Sequence, residues 1–243
     1  MRMNSEPLEL VLVLGDIHAP YHHQDTLSFI HEMAKNFGYD PENPRHLTVS
    51  IGDEADGHGW SFHDKDPALH SPGEEFRQAR TFFKLLERLM PNLVVLESNH
   101  GSLHIRKQKH HGLPRGFFKD YNEAWDVPGW TWVYDLTVKL SNGSHTYFHH
   151  GLSTNVLKVS QSMGMNVVQG HHHQLFGVQY WRNSFDTFWG AQTGCLIDHE
   201  SLAFAYGKNN LKKPLLGSLA IVKGYPIPVP MVLKNGRWLG RLV

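Results

Sequence analysis

Cysteine is almost absent from this sequence of 243 residues: Cys195 stands alone. A single thiol excludes an internal disulfide and any cysteine-built zinc cluster, and it suits a reducing, cytoplasmic setting. Net charge is missing too, because 23 Lys and Arg balance 23 Asp and Glu. A broad basic face that grips duplex nucleic acid works by neutralising phosphates, so that class is disfavoured, while a local basic patch stays open. There is no long apolar run. The N-terminal stretch 8–14 is short, contains Glu9 and stops before Asp16, which fits neither a signal peptide nor a membrane span. Glycine-rich phosphate loops of the Walker or dinucleotide type are absent. So are internal repeats, low-complexity tracts and linkers, which favours a single domain over 1–243.

What the chain does have is histidine, 19 residues of it. Imidazole is a common metal ligand and proton carrier, so the excess points toward chemistry. A hydrophobic fraction of 40% suffices for a real core. The apolar stretch 8–14 reads as a buried strand running into Gly15-Asp16-Ile17-His18. Thr26 to Phe37 has helical apolar spacing and stops at Gly38. His46 to Ile51 reads as a strand running into Gly52-Asp53-Glu54-Ala55-Asp56. Gly73 to Met90 is the clearest helix, and Leu93 to Leu96 is a strand ending at Asn99-His100. This alternation implies parallel strands with right-handed crossovers. From Thr131 the pattern turns to β, with Asn142-Gly143 and Asn235-Gly236 as hairpin turns. Further strands are predicted at 131–140, 145–149, 166–169, 175–181, 187–193, 202–206 and 218–223, with a short helix over 154–163.

Polar residues collect where strands should end, and in open α/β sheets that edge is where sites form. Five such ends carry Asp16 with His18, Asp53 with Asp56, Asn99 with His100, His149 with His150, and His171 with His173. Any one could be a turn or helix cap. Independent caps do not assemble such a donor set at successive edges. Oxygen and imidazole donors without thiolate suit Mn, Fe, Ni or Zn better than Mg or Ca.

In order, Asp-x-His, Gly-Asp-x-x-Asp, Asn-His, His-Gly and Gly-His-x-His resemble the motifs of the calcineurin-like metallophosphoesterase superfamily, over roughly residues 10 to 175. The resemblance implies a four-layer α/β/β/α sandwich with two mixed central sheets. It implies two divalent transition-metal ions, manganese first, with iron, nickel or zinc as alternatives. Asp16, His18 and His173 would bind one ion, and Asn99, His150 and His171 the other, with Asp53 between them. His150 is preferred to His149 because the family ligand directly precedes Gly. His100 would be the general acid, oriented by Asp56, and the nucleophile a hydroxide shared by the ions.

Two departures stand out. Ser98 occupies a place where the superfamily usually has Gly. Gly57 stands where the protein-phosphatase branch has a phosphate-gripping Arg, which speaks against that branch. The segment 101–130 is rich in His, Lys, Arg and aromatics and reads as an insertion over the site. Its Arg106, Lys107, Lys109 and Arg115 are candidate phosphate contacts, and such a mixture suits nucleotide or nucleic-acid phosphodiesters. A phosphomonoesterase, acting on a metabolite or a phosphoprotein, is the alternative. A non-catalytic scaffold on the same fold is a third reading. No membrane partner is expected.

Overall fold

A computed structural model of the protein describes residues 6–207 and 211–243. In order the elements are β1 (Leu10–Leu14), α1 (Thr26–Asn36), β2 (His46–Ser50), α2 (Pro72–Leu89), β3 (Val94–Leu96), α3 (Leu103–His110), α4 (Tyr121–Trp125) and β4 (Thr131–Val133). Then come β5 (Leu136–Lys139), β6 (His145–His149), α5 (Val156–Met163), β7 (Asn166–Gln169), β8 (Phe176–Arg182) and β9 (Thr187–Thr193). The chain closes with β10 (Gly217–Val222), β11 (Tyr225–Pro230), β12 (Leu233–Lys234) and β13 (Arg237–Trp238).

Two mixed sheets form the centre. One has the order β11-β10-β1-β2-β3-β4, the other β5-β6-β7-β9-β8. In the first, β1, β2, β3 and β4 are mutually parallel; β10 runs against them, and β11, antiparallel to β10, runs with them. In the second, β6, β7 and β9 are parallel.

β1 shows why the sheets stack. All five of its residues are buried, and successive side chains leave a strand on opposite faces. Leu10, Leu12 and Leu14 join Phe29, Ile30 and Met33 of α1 and Phe82, Phe83 and Leu86 of α2 in one core. Val11 and Val13 join Val49, Leu219 and Ile221 of their own sheet and Val138, Phe148, Val168 and Ala191 of the other. The second core therefore lies between the sheets. With α5 packed on β7 and β9, the layers run helix, sheet, sheet, helix.

Local chemistry sets the helix ends. Ser71 caps α2, its hydroxyl accepting the Glu74 N–H at 3.4 Å, and Pro72 occupies the first turn, where its missing N–H costs nothing. Glu75 turns inward and accepts the N–H groups of His58 and Gly59 at 2.9 and 2.7 Å. That bond pair ties the loop after Asp56 to α2. At the other end of the chain, Arg237 makes a two-armed contact with Asp25 at 2.9 and 2.6 Å, clamping the final hairpin onto the start of α1.

Several expected elements differ. The strand predicted over 131–140 is two strands, β4 and β5, because the chain crosses there from one sheet to the other. The strand predicted over 202–206 is instead a run of 3₁₀ turns, Leu202–Gly207. The segment 101–130 is not all cover: Trp125, Val127 and Trp130 are buried in the core beneath α2. β11 has no sequence forecast, since Pro226, Pro228 and Pro230 alternate through it. Proline cannot donate to a ladder and is confined to sheet edges, and the edge is where β11 lies.

Candidate metal centre

The five polar pairs follow β1, β2, β3, β6 and β7, all at the carboxyl ends of parallel strands. Because β1, β2 and β3 belong to one sheet and β6 and β7 to the other, stacking the sheets brings the five ends to one rim. Asp16, His18, Asp53 and His173 place one donor atom each within 4.8 Å of one another, and so do Asp53, His150 and His171. Asp53 belongs to both groups.

Individual distances trace a chain of donors. His173 Nε2 lies 3.2 Å from Asp16 Oδ2 and 3.2 Å from His18 Nε2. His18 Nε2 is 3.4 Å from Asp53 Oδ2, which is 3.2 Å from His150 Nε2. His150 Nε2 in turn meets Asn99 Oδ1 at 2.9 Å and His171 Nδ1 at 3.2 Å. All seven side chains expected to hold metal thus converge. His171 and His173 lie beyond the end of β7 rather than on it, and they reach different groups of donors. His149 and His172 stand outside both groups.

The backbone is bent to achieve this. His18, Asp53 and His171 adopt φ of 55°, 46° and 66°. That left-handed region costs a non-glycine residue on the order of 1–3 kcal/mol and persists where surrounding structure imposes it. Gly52, at φ 109°, gives the space: a Cβ there would sit 2.7 Å from His150 Nδ1 and 2.8 Å from Ser98 Cβ.

A second ring of bonds fixes the imidazoles. His18 Nδ1 donates to Asp56 Oδ2 at 2.9 Å and His150 Nδ1 donates to the Ile51 carbonyl at 2.9 Å. Each ring therefore turns Nε2 toward the cluster, the arrangement typical of metal-bound histidine. Asp16 holds the His171 N–H at 2.7 Å through Oδ2, while its buried Oδ1 has no hydrogen-bond partner among the described residues. Imidazole nitrogens facing one another, a buried carboxylate oxygen without a partner and a carboxylate common to both groups all fit a pair of cations.

Protonation reflects the same crowding. Burial opposes charge on His18, but hydrogen bonds to Asp53 and Asp56 and their negative charges outweigh it, raising its pKa to about 10. His150 is raised to about 9 against burial by the charges and contacts of Asp53 and Asp16. Burial works to raise the pKa of Asp53, yet His150, His100 and His18 hold it well below the usual carboxylate range. Glu54 is pushed up to about 7, chiefly by burial.

His100 stands beside the cluster, its ring 4.6 Å from that of His18. Its Nδ1 donates to the main-chain carbonyl of Asp56 at 2.5 Å, and its N–H donates to Asp53 Oδ1 at 3.1 Å. Asp56 therefore bonds to His100 through its carbonyl, while its carboxylate serves His18. Ser98 is a residue whose role the sequence did not disclose. Its hydroxyl accepts the N–H groups of Asp53 at 2.8 Å and Gly101 at 3.0 Å, tying the β2 and β3 loops together. Among the candidate phosphate contacts, Arg106 donates to the Asn99 carbonyl at 2.5 Å. Lys107 lies over the Phe62 ring at 4.4 Å. Arg115 pairs with Asp120 at 3.5 Å on the exposed surface.

No family model matches the sequence, and no curated protein does. Among solved structures, a protein serine/threonine phosphatase from Saccharomyces cerevisiae "with similarity to human phosphatase PP5" aligns with 99% of this chain and 80% of that chain, at 14% identity and a TM-score of 0.39. So loose a superposition carries no weight on chemistry, which rests on the side chains themselves. No helix among the described residues is long and apolar enough to cross a membrane.

Proposed function

We propose that the chain is a dinuclear metal-dependent phosphoesterase, with phosphodiesters of nucleotide or nucleic-acid type as its substrates. The observation that carries this reading is the pair of donor groups sharing Asp53. Asp16, His18 and His173 would hold one ion, Asn99, His150 and His171 the other, and Asp53 would lie between. Bound there, two divalent ions supply the acidity that gives hydroxide from water near neutral pH and the positive charge that meets the phosphoryl oxygens.

The remaining roles belong to the chain. His100, with Nδ1 tied to the Asp56 carbonyl, keeps Nε2 for donating a proton to the departing oxygen. Asp56 positions His18 through its carboxylate and His100 through its carbonyl. Gly57 has no room for a larger residue, since at φ 73° its Cβ would lie 2.7 Å from Leu103 and 2.9 Å from the Trp60 indole nitrogen. A phosphate-holding cation would come from elsewhere, and Arg106 on α3, which bonds to the Asn99 carbonyl, is suited to supply it. This supports a reading outside the protein-phosphatase branch.

The test is hydrolysis of nitrophenyl phosphate against bis(nitrophenyl) phosphate by the manganese-loaded chain. The expected result is faster turnover of the bis-ester. A monoester preference of about a hundredfold or more, some 2.7 kcal/mol in transition-state binding, would end the diester reading in favour of a phosphomonoesterase.

A further inference from the structure

Beside His100 opens a cavity of about 880 Å³, well within the size of small-molecule sites. It lies between the loop after Asp56, the start of α2, and the segment carrying α3 and α4. Of the nine residues assigned to catalysis or metal, only His100 borders it. Anything seated there sits on the proton-donor side, away from the metal donors.

Its walls have two characters. Trp60, Phe76, Phe118, Tyr121 and Trp125 supply flat aromatic surface, and Phe76 stacks on Trp125 at 4.8 Å. Phe117, 80% exposed, adds a ring at the border. Among the described residues the charged groups are of one sign: Lys65, Lys107 and Lys119 border the cavity and no Asp or Glu does. Lys119 is engaged by Glu123 at 2.6 Å. Lys65 and Lys107 have no acidic partner among the described residues. Aromatic walls favour a planar ring by stacking, and two uncompensated ammonium groups favour an anion.

We infer that this cavity receives the leaving group of the substrate, and that the leaving group is an alcohol bearing a planar aromatic ring and its own negative charge, of the kind a nucleoside phosphate represents. The assignment to the leaving group rests on the phosphoesterase reading, in which His100 protonates the departing oxygen. The occupancy of the cavity does not.

The test uses the metal-free full chain, so that phosphate has no ion to bind. Adenosine 5′-monophosphate, adenosine, ribose 5-phosphate and inorganic phosphate are titrated by calorimetry and by quenching of tryptophan fluorescence. The nucleotide is expected to saturate and to bind at least about tenfold tighter than adenosine or ribose 5-phosphate. Lys107→Glu should reduce the nucleotide to adenosine's level without altering adenosine. Phe117→Ala, at an exposed site, should weaken both. Absence of saturable nucleotide binding, or equal binding of inorganic phosphate, would overturn the inference. In the manganese-loaded chain the nucleotide should inhibit ester hydrolysis competitively. Hydrolysis without nucleotide binding would refute this inference and leave the phosphoesterase reading standing. Nucleotide binding without hydrolysis would refute that reading, and the leaving-group role with it.

Discussion

Exchanging His100 for Asn removes the proposed proton donor and leaves the seven proposed metal donors in place. Turnover should fall by about a hundredfold or more, the usual size of a general-acid contribution, with metal content unchanged. Loss of metal in that variant would make His100 a ligand instead. The buried histidines set a second expectation. With pKa values raised to about 10 and about 9, His18 and His150 are protonated in the metal-free chain at pH 7.5. Metal must displace those protons, so its uptake should release about two per chain, measured by calorimetry in buffers of different ionisation heat. Release of none would contradict the assignment. The sign for stability follows. Both values lie above the unfolded 6.5, so this stabilisation of the metal-free chain is complete below pH 6.5. It is lost as pH rises through 9 and 10. The identities of these residues were legible in the sequence because ligand chemistry demands particular side chains. The division of labour at Asp56 was not, since whether a carbonyl or a carboxylate faces His100 depends on loop geometry.

Among elements, the loops after β2 and β3 matter most, because Ser98 joins them. Ser98→Ala would leave the buried N–H of Asp53 and the partly buried N–H of Gly101 without this acceptor, a loss of about 1–3 kcal/mol. A lowered Tm together with weaker metal affinity is expected. An unchanged Tm and affinity would show that the hydroxyl is dispensable. The α/β start was readable because β1 is a continuous apolar run, β2 alternates apolar and polar residues, and α2 has a clear apolar face. β11 was hidden by its alternating prolines, which look like a loop unless its edge position is known. The split of 131–140 was hidden for a different reason: changing sheets leaves no break in the apolar pattern. Trp125, Val127 and Trp130 looked like cover because their segment is polar around them, yet they fill the floor below α2.

For the whole molecule, the two stacked sheets act as a device for meeting. Neither sheet alone carries a complete donor set: Asp16, His18, Asp53 and Asn99 follow strands of one, and His150, His171 and His173 follow strands of the other. The valine- and leucine-rich core between the sheets therefore sets the spacing of the centre as well as stabilising the fold. Asp53 lies where both halves touch, 3.4 Å from His18 and 3.2 Å from His150. Metal content of the purified chain after manganese loading, wild type beside Asp53→Asn, tests this most directly. About two ions per wild-type chain are expected, with both lost in the variant. A wild type that takes up none, or a variant that loses only one, would contradict a shared centre.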